Sequence, residues 1–245
     1  MKKILIIILA VFAIHLTAAE PEVAGILKAI DANMTYTSSK TKTRMVIKAK
    51  RSTRTVASVN YSQGSDKFFT EYTDPPRDKG TKMLKHGSNL WIYDPDTDRS
   101  IQISGNMLKQ SVMGSDLSYE DFMEETKLVD AYTGVHSGEE KVDGRSCWIL
   151  TLTAKQSNLA YHTRKLWVDK ERYVVLREYL YAKSGKLLKS INASNVAKPG
   201  GRWYPRYILF KDELKQGNGT EYYVDSIQFD LTIPESTFSK SKLKK

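Results

Sequence analysis

His86, His136, His162 and the single Cys147 are the side chains best suited to metal or nucleophilic chemistry in this 245-residue chain. They lie far apart, with no His, Cys or Asp at the short intervals that metal sites use. One thiol forms no internal disulfide. Ser115, within Gly114-Ser115-Asp116, has the flanking glycine of a nucleophile but lacks the G-x-S-x-G elbow. Ser115 and Asp116 read instead as turn residues, because their side chains bond readily to nearby backbone. No phosphate-binding glycine loop occurs. N-x-S/T sequons stand at Asn33, Asn60, Asn192 and Asn218, and carry meaning only where the source glycosylates. The expectation is no metal, no cofactor and no enzyme activity. A lipid-cleaving role for Ser115 is the catalytic alternative.

What remains is apolar chemistry. Met107, Leu108, Met113, Leu117, Phe122 and Met123 gather in one stretch, and methionine repacks easily around varied apolar partners. Together with Met45, Ile47, Trp91 and Tyr93, these residues (Met123 apart) are expected to bind a ligand in a hydrophobic cavity. Each one alone could equally be ordinary core.

The elements that must position them are mostly strands. After Pro21, apolar residues at Val23, Ile26, Leu27, Ile30 and Met34 make one stripe of an amphipathic helix over 21–34. From Thr41 the period becomes two: Met45, Ile47 and Ala49 alternate with Arg44, Lys48 and Lys50. One face of that strand is buried; Lys42, Arg44, Lys48 and Lys50 are expected to face anionic membrane or a partner. About a dozen strands follow in all, over 54–62, 67–73, 81–85, 89–93, 100–103, 128–137, 146–154, 162–169, 173–181, 187–197, 203–211 and 220–231, parted by turn residues. Short connections predict antiparallel hairpins.

The sequence SVMGSDLSYEDFM, 111–123, interrupts this pattern. Ser118 and Asp121 have the spacing of an acidic capping box opening a helix over 118–126. A sheet of so many strands must twist and curl. The expected fold is mainly β (α+β): a strongly curved antiparallel sheet forming an incomplete barrel, plugged by short helices over a hydrophobic cavity.

Residues 1–19 read as a cleavable signal peptide. Lys2 and Lys3 precede the apolar run ILIIILAVFAI, and Thr17-Ala18-Ala19 supplies small residues before Glu20. The run is short for a bilayer span of roughly 20 residues. No cysteine lies near the cleavage point to carry a lipid, so the mature chain, 20–245, is expected to be one exported soluble domain. Its last residues, 239–245, read as a basic disordered tail. A formal net charge of +10 would attract anionic lipid or nucleic acid, and export argues against nucleic acid.

These residues carry a resemblance. GSNLWIYDP, Gly87 to Pro95, is similar to the G-x-x-LW-x-Y-x-P strand pair of the periplasmic lipoprotein carriers, through Gly87, Leu90, Trp91, Tyr93 and Pro95. MGSDLSYEDFM resembles a segment of the branch called outer membrane lipoprotein-sorting proteins, as do 166–189, 202–224 and IPESTF at 233–238. The resemblance implies a LolA-like half-barrel in the periplasm, an acyl-chain cavity, an inner-membrane transporter as partner and no catalysis. Its cargo would be lipoprotein acyl chains or a phospholipid-like amphiphile. It also implies a basic residue holding the lid shut, for which Arg77 is the nearest candidate. An RseB-like envelope sensor that binds lipoproteins is the alternative on the same fold.

Overall fold

The computed structural model describes residues 21–123 and 127–244. The expected signal peptide and the end of the expected helix over 118–126 lie outside the described residues. Helix α1 (Val23–Met34) is followed by β1 (Ser38–Ala49), β2 (Ser52–Gln63), β3 (Lys67–Asp74), β4 (Lys82–His86), β5 (Asn89–Asp94) and β6 (Arg99–Ile103). Then come α2 (Tyr119–Met123), α3 (Leu128–Ala131) and the strands β7 (Tyr132–Val142), β8 (Arg145–Ala154), β9 (Thr163–Asp169), β10 (Val175–Tyr181), β11 (Leu187–Ala197), β12 (Tyr204–Asp212) and β13 (Gly219–Phe229).

All thirteen strands form one sheet in the order β6-β5-β4-β3-β2-β1-β13-β12-β11-β10-β9-β8-β7. Every pairing is antiparallel. Two meanders are thus sewn together at the β1–β13 seam, where Met45 lies opposite Tyr222. The sheet does not close: β6 and β7 are its two free edges. They are also consecutive in the chain, so residues 104–131 must travel from one edge to the other. That route answers why the strand pattern breaks there: the described residues Met107–Met123 pack against the inner face of the curled sheet.

Helix α1 covers the other half of that face. Ile26, Leu27 and Ile30 pack against Trp148, Leu150, Leu152, Leu166 and Val168. The helix comes close to β7 because Gly134 has no side chain: a Cβ there would sit 2.5 Å from Leu152 Cδ2 and 2.8 Å from Val23 Cγ1. The β12–β13 hairpin has a similar requirement at Gly219, where φ is +88° and a Cβ would meet the Phe210 carbonyl oxygen at 2.5 Å.

Two expectations are corrected. Leu128–Ala131, read as the start of a strand, is a helical turn, because Asp31 on α1 accepts the Leu128 and Val129 N–H groups at 3.0 and 3.1 Å. A remote carboxylate thereby satisfies donors that a strand would have paired with a neighbour. The basic C-terminus is docked, not loose: 3₁₀ turns at Glu235–Phe238 and Lys240–Lys244 pack on the outer face, with Leu243 0 % exposed against Phe69 and Leu84.

Candidate functional site

The inner face divides into a filled half and a hollow half. On the filled half, Met45, Ile47, Val56 and Tyr72 of β1–β3 meet Val112, Met113, Leu117, Tyr119 and Phe122 of the crossing segment, with Phe210 and Tyr222 from the seam. Beside them, Met83, Leu90 and Ile103 pack against Met107, Leu108, Phe122 and Met123. The rings of Phe68 and Phe122 stand 5.7 Å apart. Burial pushes the Tyr72, Tyr119 and Tyr222 hydroxyls above their ordinary pKa, so this interior stays uncharged.

The structure brings together seven of the nine expected ligand residues: Met45, Ile47, Met107, Leu108, Met113, Leu117 and Phe122. Trp91 and Tyr93 are the corrections. In β5 they alternate with Leu90 and Ile92, so they point to the outer face, beneath the C-terminal turns. Lys240 lies 5.2 Å over the Trp91 ring. The outward cations of β1 are also less available than their number implies. Arg44 bonds Asp225 at 2.8 Å and Lys48 bonds Glu221 at 2.6 Å, interactions that raise both basic pKa values and lower both acidic ones.

Polar residues of the crossing segment tie it to distant strands. Arg54 of β2 donates to the Met113 carbonyl and pairs with Asp78 at 3.1 Å. Met113 itself sits in the left-handed region at φ 52°, a conformation that a non-glycine residue keeps only when its surroundings hold it. Arg54 is therefore one of the basic residues that hold the plug, whereas Arg77, the expected candidate, is exposed and pairs with Asp78 at 3.6 Å. Asp116 accepts the Thr220 hydroxyl at 2.8 Å and the Asp212 N–H at 2.9 Å, bonds far longer in range than the local turn expected of it. Ser118 and Asp121 form one arm of the capping box, the Ser118 N–H donating to Asp121 Oδ2 at 2.7 Å, while the Ser118 hydroxyl donates to the same oxygen at 3.0 Å. Asp121 also pairs with Lys189 and accepts the Tyr161 hydroxyl at 2.6 Å. Ser115 is buried, its Oγ accepting the Leu117 N–H at 3.2 Å as a turn residue.

The hollow half lies between α1 and β9–β12. Its cavity measures about 280 Å³, with Ile30, Met34 and Leu128 on the helical side and Val175, Ile191, Ala193, Ile208 and Phe210 on the sheet side. Phe210 belongs to both halves, one wall shared by cavity and plug. The polar lining is internally satisfied: Arg164 and Glu178 pair at 2.6 Å, and Asn33 Nδ2 donates to the Arg172 carbonyl at 2.8 Å. Sequence reasoning predicted these strands but did not place their residues at the cavity. The signal available was Ile191 and Ala193 on one face of a strand, where a small residue leaves space beneath a helix.

The arrangement can shield an apolar chain from water, and several solved structures share the fold. A family model described as "-like: Uncharacterized protein" matches residues 64–245. No curated protein matches the chain. Among solved structures, a DUF1329 family protein from Desulfovibrio piger is 27% identical, with a TM-score of 0.82 over 90% of this chain and 97% of its own. An outer membrane lipoprotein-sorting protein domain from Vibrio parahaemolyticus is 23% identical, with a TM-score of 0.79 over 91% and 98%. A LolA superfamily protein from Nitrosomonas europaea is 21% identical, with a TM-score of 0.70 over 89% and 97%.

Proposed function

We propose that this chain, which belongs to the family whose model spans residues 64–245 and has the LolA-like fold of the outer membrane lipoprotein-sorting proteins, is a non-catalytic carrier of acyl chains. It takes up lipoprotein or other lipid tails and passes them between membranes, or to and from a membrane exporter. The observation that carries this reading is the apolar hollow beneath α1.

At about 280 Å³ the hollow falls just below the roughly 300 Å³ at which small-molecule sites begin, which suits part of one chain. Each methylene withdrawn from water contributes about 0.8 kcal/mol, so roughly ten give on the order of 8 kcal/mol, near micromolar affinity before ordering costs. A second chain requires more room. Outward movement of the crossing segment would supply it, opening the wall built from Met45, Ile47, Met107, Leu108, Met113, Leu117 and Phe122. Residues 1–19 act as the export signal in this proposal and the periplasm is the working compartment. No helix among the described residues is long and apolar enough to cross a membrane.

The test is mass spectrometry of organic extracts from natively purified protein, with binding of a fluorescent fatty acid measured alongside. Co-purified lipid, and loss of binding when Ala193→Trp fills the hollow, are expected. Empty extracts together with equal binding by the Ala193→Trp protein would rule the carrier out.

A further inference from the structure

Three neighbouring turns form the end of the sheet at which the plug is fastened: 50–51 between β1 and β2, 182–186 between β10 and β11, and 213–218 between β12 and β13. In the strand order β2-β1-β13-β12-β11-β10 they fall at every second gap, so each lies roughly 10 Å along the sheet from the next. Backbone bonds tie the middle turn to both sides. The Asn218 N–H donates to the Lys48 carbonyl at 3.1 Å, and the Glu213 N–H to the Leu188 carbonyl at 2.9 Å. Leu214, in that middle turn, is 56 % exposed.

The charge balance of this end is positive. On the flanking turns Lys50, Arg51, Lys183 and Lys186 are all exposed, and among the described residues none of their side chains meets a carboxylate. The middle turn is balanced: Lys215 pairs with Asp212 at 3.0 Å, Lys211 lies 4.0 Å from Asp116, and Glu213 accepts the Ser190 hydroxyl. Glu221 and Asp121, beneath the turns, are paired with Lys48 and Lys189. Residues 74–81 set Arg77 and Lys79 against Asp74 and Asp78, and 155–162 contain no acid. The acidic turn of Asp94, Asp96 and Asp98 lies four strand gaps from Lys50, roughly twice the Debye length of about 8 Å.

A lone exposed leucine is ordinary on a protein surface. A leucine set between two pairs of unpaired cations suits an anionic lipid surface, because the charges draw the turn in and the apolar stems and leucine enter the boundary. A specific protein contact buries about 800 Å² on each side, a broad face rather than three turn tips. We propose that this end docks on an anionic membrane surface, with Lys50, Arg51, Lys183 and Lys186 on the lipid phosphates and Leu214 at the headgroup boundary. Lys215, beside Leu214, donates to the Ser111 hydroxyl at 2.6 Å and the Ser115 carbonyl at 3.1 Å, so the docked turn also fastens the plug. The docking surface goes beyond the carrier reading and needs no occupied hollow.

The experiment is flotation of the natively purified protein with vesicles of phosphatidylcholine alone or of an equal mixture with phosphatidylglycerol. Each basic residue near an anionic surface strengthens binding about fivefold, so the mixed vesicles are expected to bind at least about tenfold more strongly, an advantage that fades as salt rises. Lys50→Gln with Arg51→Gln, and Lys183→Gln with Lys186→Gln, should each lower binding to the mixed vesicles about tenfold. Leu214→Ser should lower it about threefold and leave the salt dependence in place. Lys28 on α1 and Lys141 near the far end of β7 are exposed cations away from these turns. Their joint replacement by Gln should change binding less than about twofold. Equal binding to the two kinds of vesicle, binding to neither, undiminished binding by both turn variants, or an equal loss in the Lys28 and Lys141 variant would overturn the docking surface. None of these results bears on the hollow, which Ala193→Trp tests separately.

Discussion

Asp116 and Thr220, 104 positions apart, exchange hydrogen bonds in both directions: the Asp116 N–H donates to Thr220 Oγ1 at 3.0 Å, and that hydroxyl donates to Asp116 Oδ2 at 2.8 Å. Thr220 is buried at the β1–β13 seam, so the crossing segment is fastened where the two meanders join. Asp116→Ala removes the acceptor from both the Thr220 hydroxyl and the Asp212 N–H. A loss of about 2–3 kcal/mol in urea unfolding is expected, with earlier proteolysis within 107–123. Unchanged stability would show that the fastening contributes nothing.

Arg54 restrains the same segment from β2, through the Met113 carbonyl. If the plug gates the hollow, Arg54→Ala should speed both uptake and release of a fluorescent fatty acid by about tenfold while changing the equilibrium affinity much less. Stopped-flow mixing measures both rates. Identical rates in the two proteins would remove Arg54 from any gating role.

Asp169 is 0 % exposed and bonded by Arg145 at 2.8 and 3.0 Å, and by the Glu171 and Arg172 N–H groups at 2.9 and 3.2 Å. Burial alone would raise its pKa; the Arg145 and backbone bonds outweigh burial and hold it below the ordinary carboxylate value. A lowered folded-state pKa stabilises the protein above the unfolded value of about 3.9 and is lost as pH falls through the folded value. Asp225, Glu221, Glu140 and Asp230 are lowered as well and act in the same direction. Stability should therefore hold down to about pH 5 and decline below about pH 4. Asp169→Asn should flatten that acid limb and cost about 2–3 kcal/mol at neutral pH, measured by urea unfolding across the pH series.

Leu243 anchors the C-terminal turn, and the Lys82 ammonium donates to its carbonyl at 3.2 Å. Leu243→Ala should cost about 2–4 kcal/mol and raise the accessibility of Trp91 to an aqueous quencher. A tail that only brushed the sheet would show neither change.

Local pattern was enough wherever the deciding contacts are a few residues away. The period-two run around Met45 and Ile47, the stripe on Val23–Met34 and the bond from the Ser118 N–H to Asp121 all formed as their spacing required. Alternation also separated Leu90 and Ile92 from Trp91 and Tyr93. It could not say which pair faces inward, because both pairs are apolar and the C-terminal turns that cover Trp91 come from more than a hundred positions away.

The chain's own order of residue types therefore established a strand-rich, curled sheet with a helical interruption and an apolar interior. Where the hollow lies was settled by partners remote in sequence: Asp31 capping α3, Phe210 facing both α1 and the plug, and β13 returning to β1. Side-chain periodicity is a property of neighbours along the backbone, whereas empty volume is left over only after every distant surface has packed.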